Sequence, residues 1–299
     1  MGIIRAITGA AGSVLKEQWR EYFACGALDS ETLIRRGVKR IGARSENTRT
    51  DDNIITNGSI LSVADGQCVI VIAQGKVIDT CAEPGEHRFA DPDHPGGLGG
   101  FARDVVSRVG FGGGDVQPIQ HRIYYVNTKE CPGVRFDTPA PFAIAIRDAD
   151  IGADLDLGVQ IGGLFSYRVK DPVALYRSVV GNIEDAYQRT ALNRMLSTAV
   201  LSVLPEALHA LLNGGVRPHE LAFHANALRD SVTAALAEPF LTHYGLEIVS
   251  LAFDTLIVAD IRALSGAQAA AIHRDPAMAA AATVDAVSQL ANNRGVRSE

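Results

Sequence analysis

Between Ile60 and Phe89 the apolar residues come in short runs cut by turn residues. Ile60, Leu61 and Val63 lead into Ala64-Asp65-Gly66, and Cys68 to Ile72 is continuously apolar and rich in β-branched side chains. Gln74-Gly75-Lys76 is a second turn, Val77 to Cys81 a further run, and Pro84-Gly85 closes the unit. Alternation and short length predict strands, and the unbroken run predicts a strand buried on both faces. Arg122 to Asn127, Ala143 to Ile146 and Val159 to Val169 read as further strands, with a bulge expected at Gly162-Gly163. Pro139 and Pro141 keep the piece between the first two extended and at an edge.

From Asn182 onward the period changes to that of a helix. Ile183, Tyr187, Leu192, Leu196, Val200 and Val203 recur at helical spacing. Asn182 is the expected cap, with Glu184 and Asp185 in the first turn; Pro205 is expected to break or kink the helix and Gly214-Gly215 to end it. Pro218 should start the next helix, with Leu221, Ala225, Leu228, Val232, Ala235 and Leu236 inward. Gly245 to Asp254 predicts a last strand, and the alanine-rich stretch from Ile257 to about Leu290 a last helix, interrupted near Asp275-Pro276.

The first two dozen residues read as a helix from Gly2 to Phe23. At about 100° per residue, Ile3, Ile4, Ile7, Ala11, Val14, Leu15 and Tyr22 share one face, with Trp19 at its edge and Arg5, Lys16 and Arg20 opposite. Such a stripe suits a helix lying in a lipid interface. It equally suits a helix packed on the protein's own sheet. The membrane reading assigns Ile3, Ile4, Ile7, Val14, Leu15 and Trp19 to lipid contact. Residues 29–52 then read as a basic connector, with Arg35, Arg36, Lys39, Arg40, Arg44 and Arg49 able to add attraction to anionic lipid.

Charge sharpens this picture. The chain carries 28 Lys+Arg and 34 Asp+Glu, a net −6. Residues 1–50 hold 9 of the basic and 5 of the acidic groups, so a +4 front end precedes a body of −10. That distribution argues against general nucleic-acid binding and for an anionic surface met by the N-terminus alone. The four cysteines are far apart with no CxxC, which is wrong for zinc and fits reduced thiols in a cytosol. No run of about 18 apolar residues predicts a membrane-spanning helix.

Candidate chemistry is thin. Gly97 to Ala102 superficially matches a dinucleotide fingerprint, but no strand–turn–helix frames it; residues 91–115 are a glycine-rich insertion. Asp148, Asp150, Asp154 and Asp156 lack the spacing of a calcium loop, and Asp154 and Asp156 alternate with Leu155 and Leu157 as the wet face of a strand. His219 and His224 are five apart, not the four of a zinc protease helix, and read as surface residues. No catalytic residue, metal ligand or cofactor is assigned.

Three strings resemble a known family. NGSILSVADGQ (Asn57 to Gln67) with Glu83-Pro84-Gly85-Glu86 looks like the opening of the SPFH, or band 7, domain of stomatins, prohibitins and flotillins. Gly163 to Tyr176 (GLFSYRVKDPVALY) is the most specific match, and YGLEIVSLAFDTL from Tyr244 is similar to the family's last strand. The likeness is nearest the bacterial virion-core-like branch. It implies an α+β fold: an N-terminal amphipathic helix and basic connector (1–52), a β-rich subdomain (53–147), an α/β subdomain (148–256), and an alanine-rich C-terminal helix and tail (257–299). It also implies a non-enzymatic, cytoplasmic scaffold, peripheral on the inner face of the cell membrane. The implied partners are copies of itself, an anionic membrane surface and phage-shock protein A-like membrane-stress proteins. The alternative is a soluble adaptor that binds a protein through the N-terminal stripe. The chain shows neither the long coiled coil nor the zinc ribbon in which many relatives end.

Overall fold

The computed structural model describes residues 4–6, 21–40, 52–90, 120–148, 153–180, 183 and 185–260. The glycine-rich insertion 91–115 lies outside them, as does the tail beyond residue 260. The fold is α+β, β-rich with helices following, as the sequence pattern indicates.

Fifteen strands and three α-helices are described, in two compact units. The first holds Met1–Glu130, Arg168–Thr190 and Thr242–Leu246; the second holds Cys131–Tyr167, Ala191–Leu241 and Glu247–Glu299.

The first unit is built on two sheets. One has the order β1 (Ile4–Ala6), β9 (Gly85–Phe89), β6 (Ile60–Val63), β2 (Tyr22–Ala24), β4 (Val38–Arg40). The other runs β14 (Ala186–Gln188), β3 (Thr32–Arg36), β10 (His121–Asn127), β7 (Gln67–Ala73), β8 (Lys76–Cys81), with β5 (Ile54–Ile55) also on β10. Phe23, Leu61, Val63 and Phe89 of the first sheet cluster with Ile55, Val69, Val71, Ile123 and Tyr125 of the second. All seven residues of β7 are buried, as its unbroken apolar run predicts. Val69 and Val71 face this core, while the opposite face of the sheet is covered near Leu175 and Tyr176, both buried. The Tyr124 and Tyr176 rings lie 6.2 Å apart there. Two polar groups inside are matched in this way: Tyr125 Oη donates to the Phe23 carbonyl at 3.2 Å, and Asn127 Nδ2 to the Asp29 carbonyl at 3.0 Å.

The second unit is organised on β13 (Ala153–Val169), whose successive antiparallel partners are β12 (Phe142–Asp148) and β11 (Cys131–Asp137); β15 (Leu246–Asp260) also pairs with it. Helices α2 (Thr190–Asn213) and α3 (Ala225–Tyr244) follow, each burying one stripe: Leu192, Leu196, Val200, Leu204, Leu208 and Leu212 on α2, and Leu228, Val232, Leu236 and Phe240 on α3. Phe136 stacks near Phe165 and edge-on to Phe253 at 6.2 and 6.0 Å. Tyr167 Oη donates to Asn193 Oδ1 at 2.9 Å, tying the sheet to α2.

Several sequence expectations are corrected. The helix expected over Gly2–Phe23 is strand at both described ends, β1 and β2, because both find partners in one sheet; residues 7–20 lie outside the description. The basic connector contains β3 and β4, with Leu33 and Ile34 fully buried just before the two arginines that hid them. Gly162 and Gly163 form no bulge: they stay in register with Asp137 and Phe136, and a Cβ on Gly163 would strike the Ala252 carbonyl. Residues 186–188 are strand β14, so the helix begins at Thr190 and not at Asn182. Pro205 is exposed and α2 runs on through it. Pro218–Glu220 is a separate 3-10 turn and α3 begins at Ala225, leaving Ala235 exposed. Ile257 to Asp260 extends β15 where a helix was expected.

The family-like string around Asp171 has a clear physical role. Asp171 Oδ1 accepts from the amides of Val173 and Ala174 at 2.9 and 3.0 Å, capping the short α1 (Pro172–Leu175), which begins with proline. The Lys170 and Asp171 amides both donate to the Gly245 carbonyl, at 2.8 and 2.9 Å. Gly245 has φ +68°, and a Cβ there would strike the Asp171 carbonyl.

Candidate functional site

Of the six residues assigned to lipid contact, Ile4 alone is described. It lies in β1, half-buried against the core of its own unit, and its amide donates to Asp79 Oδ2 at 2.8 Å. At this residue the structure has the packing arrangement and not a free lipid-facing one. Ile3, Ile7, Val14, Leu15 and Trp19 lie outside the described residues. The segment that holds the last four is fixed at both ends on one sheet. β1 pairs with β9 before it. After it, Glu21 is held by Lys39 Nζ at 2.5 Å and by Thr56 Oγ1 at 2.8 Å. That ion pair is nearly enclosed, its side chains 2% and 11% exposed. In the sequence Lys39 reads only as one of six basic residues in the connector.

Nothing described assembles into a reaction centre. The nearest thing to a nucleophile–base pair is Cys81 and His87, with Sγ 3.6 Å from Nε2. The same nitrogen lies 2.7 Å from the Glu83 carbonyl, an acceptor only, so Nε2 carries a proton and cannot take one from the thiol. Burial raises the Cys81 thiol above its ordinary range, and likewise Cys25. Cys68, more enclosed, is pushed up to about 12 by burial. These are resting thiols, not thiolates. Asp156 is half-buried in β13, and Asp148, Asp150 and Asp154 have no described side chains. His219 and His224 are exposed, on the 3-10 turn and in the turn before α3, consistent with surface residues. No group of three or more metal-binding side chains occurs among the described residues.

Three surface features of the second unit were not anticipated. Arg135 on β11 forks between Asp137 (Nε to Oδ2, 2.7 Å) and Asp254 on β15 (Nη1 to Oδ2, 2.7 Å), all three exposed. Arg135 holds the Asp254 carboxyl below the usual carboxylate range. On the same unit, α3 and β15 bound an open groove of about 500 Å³. Arg229, Asp230, Thr233, Ala234 and Ala237 form one wall, and Ile248 to Leu251 the other. Two residues before α3, Phe223 stands 87% exposed. Because a lone apolar residue between alanine and histidine carries no periodic signal, sequence reasoning passed over it.

Helix α2 is long and apolar enough to cross a bilayer, although no such helix was expected. Its leucine stripe is buried in its own unit, and about a third of that apolar stretch is buried in all.

No curated protein matches the chain. A model of the SPFH domain-Band 7 family matches residues 47–263, which include the buried β7, the Asp171 cap and the Gly245 turn. Members of that family are typically membrane-associated scaffolds, generally without enzymatic activity. With most of its length covered by that match, the chain belongs to the SPFH domain-Band 7 family.

Proposed function

We propose that this chain is a non-enzymatic peripheral membrane scaffold that self-associates on the inner, cytoplasmic face of the cell membrane. There it organises a membrane patch or recruits phage-shock protein A-like membrane-stress proteins. Family membership over residues 47–263 is the observation that carries the reading. The apolar residues Ile7, Val14, Leu15 and Trp19 support it, lying between two fixed ends of one sheet. Burying a few such side chains, at about 1.5–3 kcal/mol each, gives reversible attachment. Many copies held together turn weak attachment into strong attachment.

The test is flotation of the full chain with vesicles containing anionic lipid. The wild type should rise with the vesicles, and Ile7→Glu with Val14→Glu should leave it in the dense fraction. Wild-type protein that stays in the dense fraction and rises only with an added protein would establish the second reading. That reading is an adaptor whose N-terminal stripe binds a protein, and the packing of Ile4 on its own core favours it.

A further inference from the structure

Helix α3 carries a buried apolar stripe and, with the turn before it, a second, exposed row that is apolar except for Asp230. Leu228, Val232, Leu236 and Phe240 repeat every four residues and are buried. On the other side Phe223, Ala227, Asp230, Ala234, Ala237 and Leu241 are all exposed. At about 100° per residue these six share an arc of about 80°. Phe223 is included because the turn before α3 is already helix-like, its amide bonding to Glu220 and that of His224 to Leu221. Phe223 is 87% exposed and Leu241 45%. The spacings along this stripe are four, three, four, three, four. Their mean of 3.6 residues is the period of the α-helix itself, so the row runs straight along one side of α3.

That order reads the same from either end. We propose that the stripe is a self-complementary docking face, occupied by α3 of a second copy lying antiparallel. In this arrangement Phe223 meets the partner's Leu241, Ala227 meets the partner's Ala237, and Asp230 meets the partner's Ala234. Small residues at the centre let the backbones approach closely, and large ones at each end close the seam. The charge inside the seam is already compensated, since Asp230 is paired with Arg229 at 2.8 Å in its own chain. The groove beside the stripe gives the second helix room, and Val249, 42% exposed, forms the wall it would cover. The contact is a two-fold one, the same surface on both copies. A seam on a helix of 20 residues is small beside the ~1,600 Å² of a standard interface. It is therefore weak between free copies and strong between copies already held on one surface. The inference rests on the self-associating scaffold reading and names the contact through which it works.

Cross-linking tests the register. Ala227→Cys and Ala237→Cys are made separately in the full chain and oxidised with copper phenanthroline, alone and mixed, in solution and on anionic vesicles. The mixture should give a disulfide dimer well above the background that the native cysteines set, and more on vesicles than in solution. Either variant alone should not. Its two thiols would sit 10 residues apart along the pair, about 15 Å at 1.5 Å per residue, beyond the ~7 Å a disulfide spans between Cα atoms. Adding Phe223→Asp to both variants should return the mixture to background. A mixture no better than the single variants overturns the proposal, and so does a single variant that cross-links as well as the mixture. Should either cysteine lower the melting temperature, Asp230→Cys mixed with Ala234→Cys samples the same register. Flotation and cross-linking fail separately: a dimer that does not float sinks the membrane reading, and a floating protein without the dimer sinks this contact.

Discussion

The two units treat apolar surface in opposite ways. Eight large hydrophobic side chains are exposed among the described residues, and six of them, Leu164, Met195, Phe223, Leu241, Val249 and Ile257, lie in the second unit. Among its described residues, the first unit exposes only Val38 and Ile78, while burying Lys39, Gln67, His87, His121 and Asn127. One unit encloses polar groups to complete its core. The other completes its core and still leaves apolar side chains in water. Among the described residues, then, exposed apolar surface of the kind that meets partners is concentrated in the second unit.

The sharpest way to break this comparison is to disturb an enclosed charge in the first unit. Lys39→Met removes one partner of the Lys39–Glu21 pair and leaves a carboxylate with little water around it. Breaking a buried pair costs about 3–5 kcal/mol, so chemical denaturation should show a large loss of stability. The double variant Lys39→Met with Glu21→Gln should recover most of it, because no unpaired charge remains. If the single variant is as stable as wild type, the first unit is not closed in the sense argued here.

The second unit is tested at its tightest point. Gly163 faces the Ala252 carbonyl and the Phe136 ring where β13 meets β15. Gly163→Ala has no room and should destabilise by about 1–3 kcal/mol, in the range of core overpacking. A thermal melt reads it. A neutral result would mean the second unit is loose inside as well as exposed outside, and its surface apolar residues would lose their special standing.

These positions also mark what the sequence made legible. The meander from Ile60 to Phe89 was readable because buried strands write themselves as unbroken β-branched runs, and β7 is such a run. Asp171-Pro172 was legible only as part of the family-like string from Gly163 to Tyr176; its helix-capping role came from the structure. By contrast β3 was hidden: Leu33 and Ile34 are only two apolar residues, and Arg35 and Arg36 beside them look like solvent-facing charge. Their burial comes from pairing with β10, almost 90 residues away, which no local period encodes. The N-terminal helix reading failed for the same reason at Ile4 and Tyr22, where pairing with β9 and β6 overrides an amphipathic period. On the candidate surface, the inward stripe of α3 was legible and the outward one was not. Alanines alternating with polar residues look like ordinary solvent-facing helix until exposure shows Phe223 and Leu241 at either end.

The smallest effect concerns how β15, one wall of the exposed groove, is held. Asp254 on that strand bonds to Arg135 on β11, which lowers the Asp254 pKa in the folded chain. A depressed carboxylate contributes stability above its unfolded value, near 4 for aspartate, and loses it as pH falls through the lower folded value. The pair is exposed, so salt should weaken it further. Stability measured from pH 7 downward should therefore fall more steeply below about pH 4 in wild type than in Asp254→Asn, and the two curves should approach each other at low pH. High salt should shrink the gap. Parallel curves would mean that β15 is held by its pairing with β13 alone, and the strand beside the α3 seam would then owe nothing to charge.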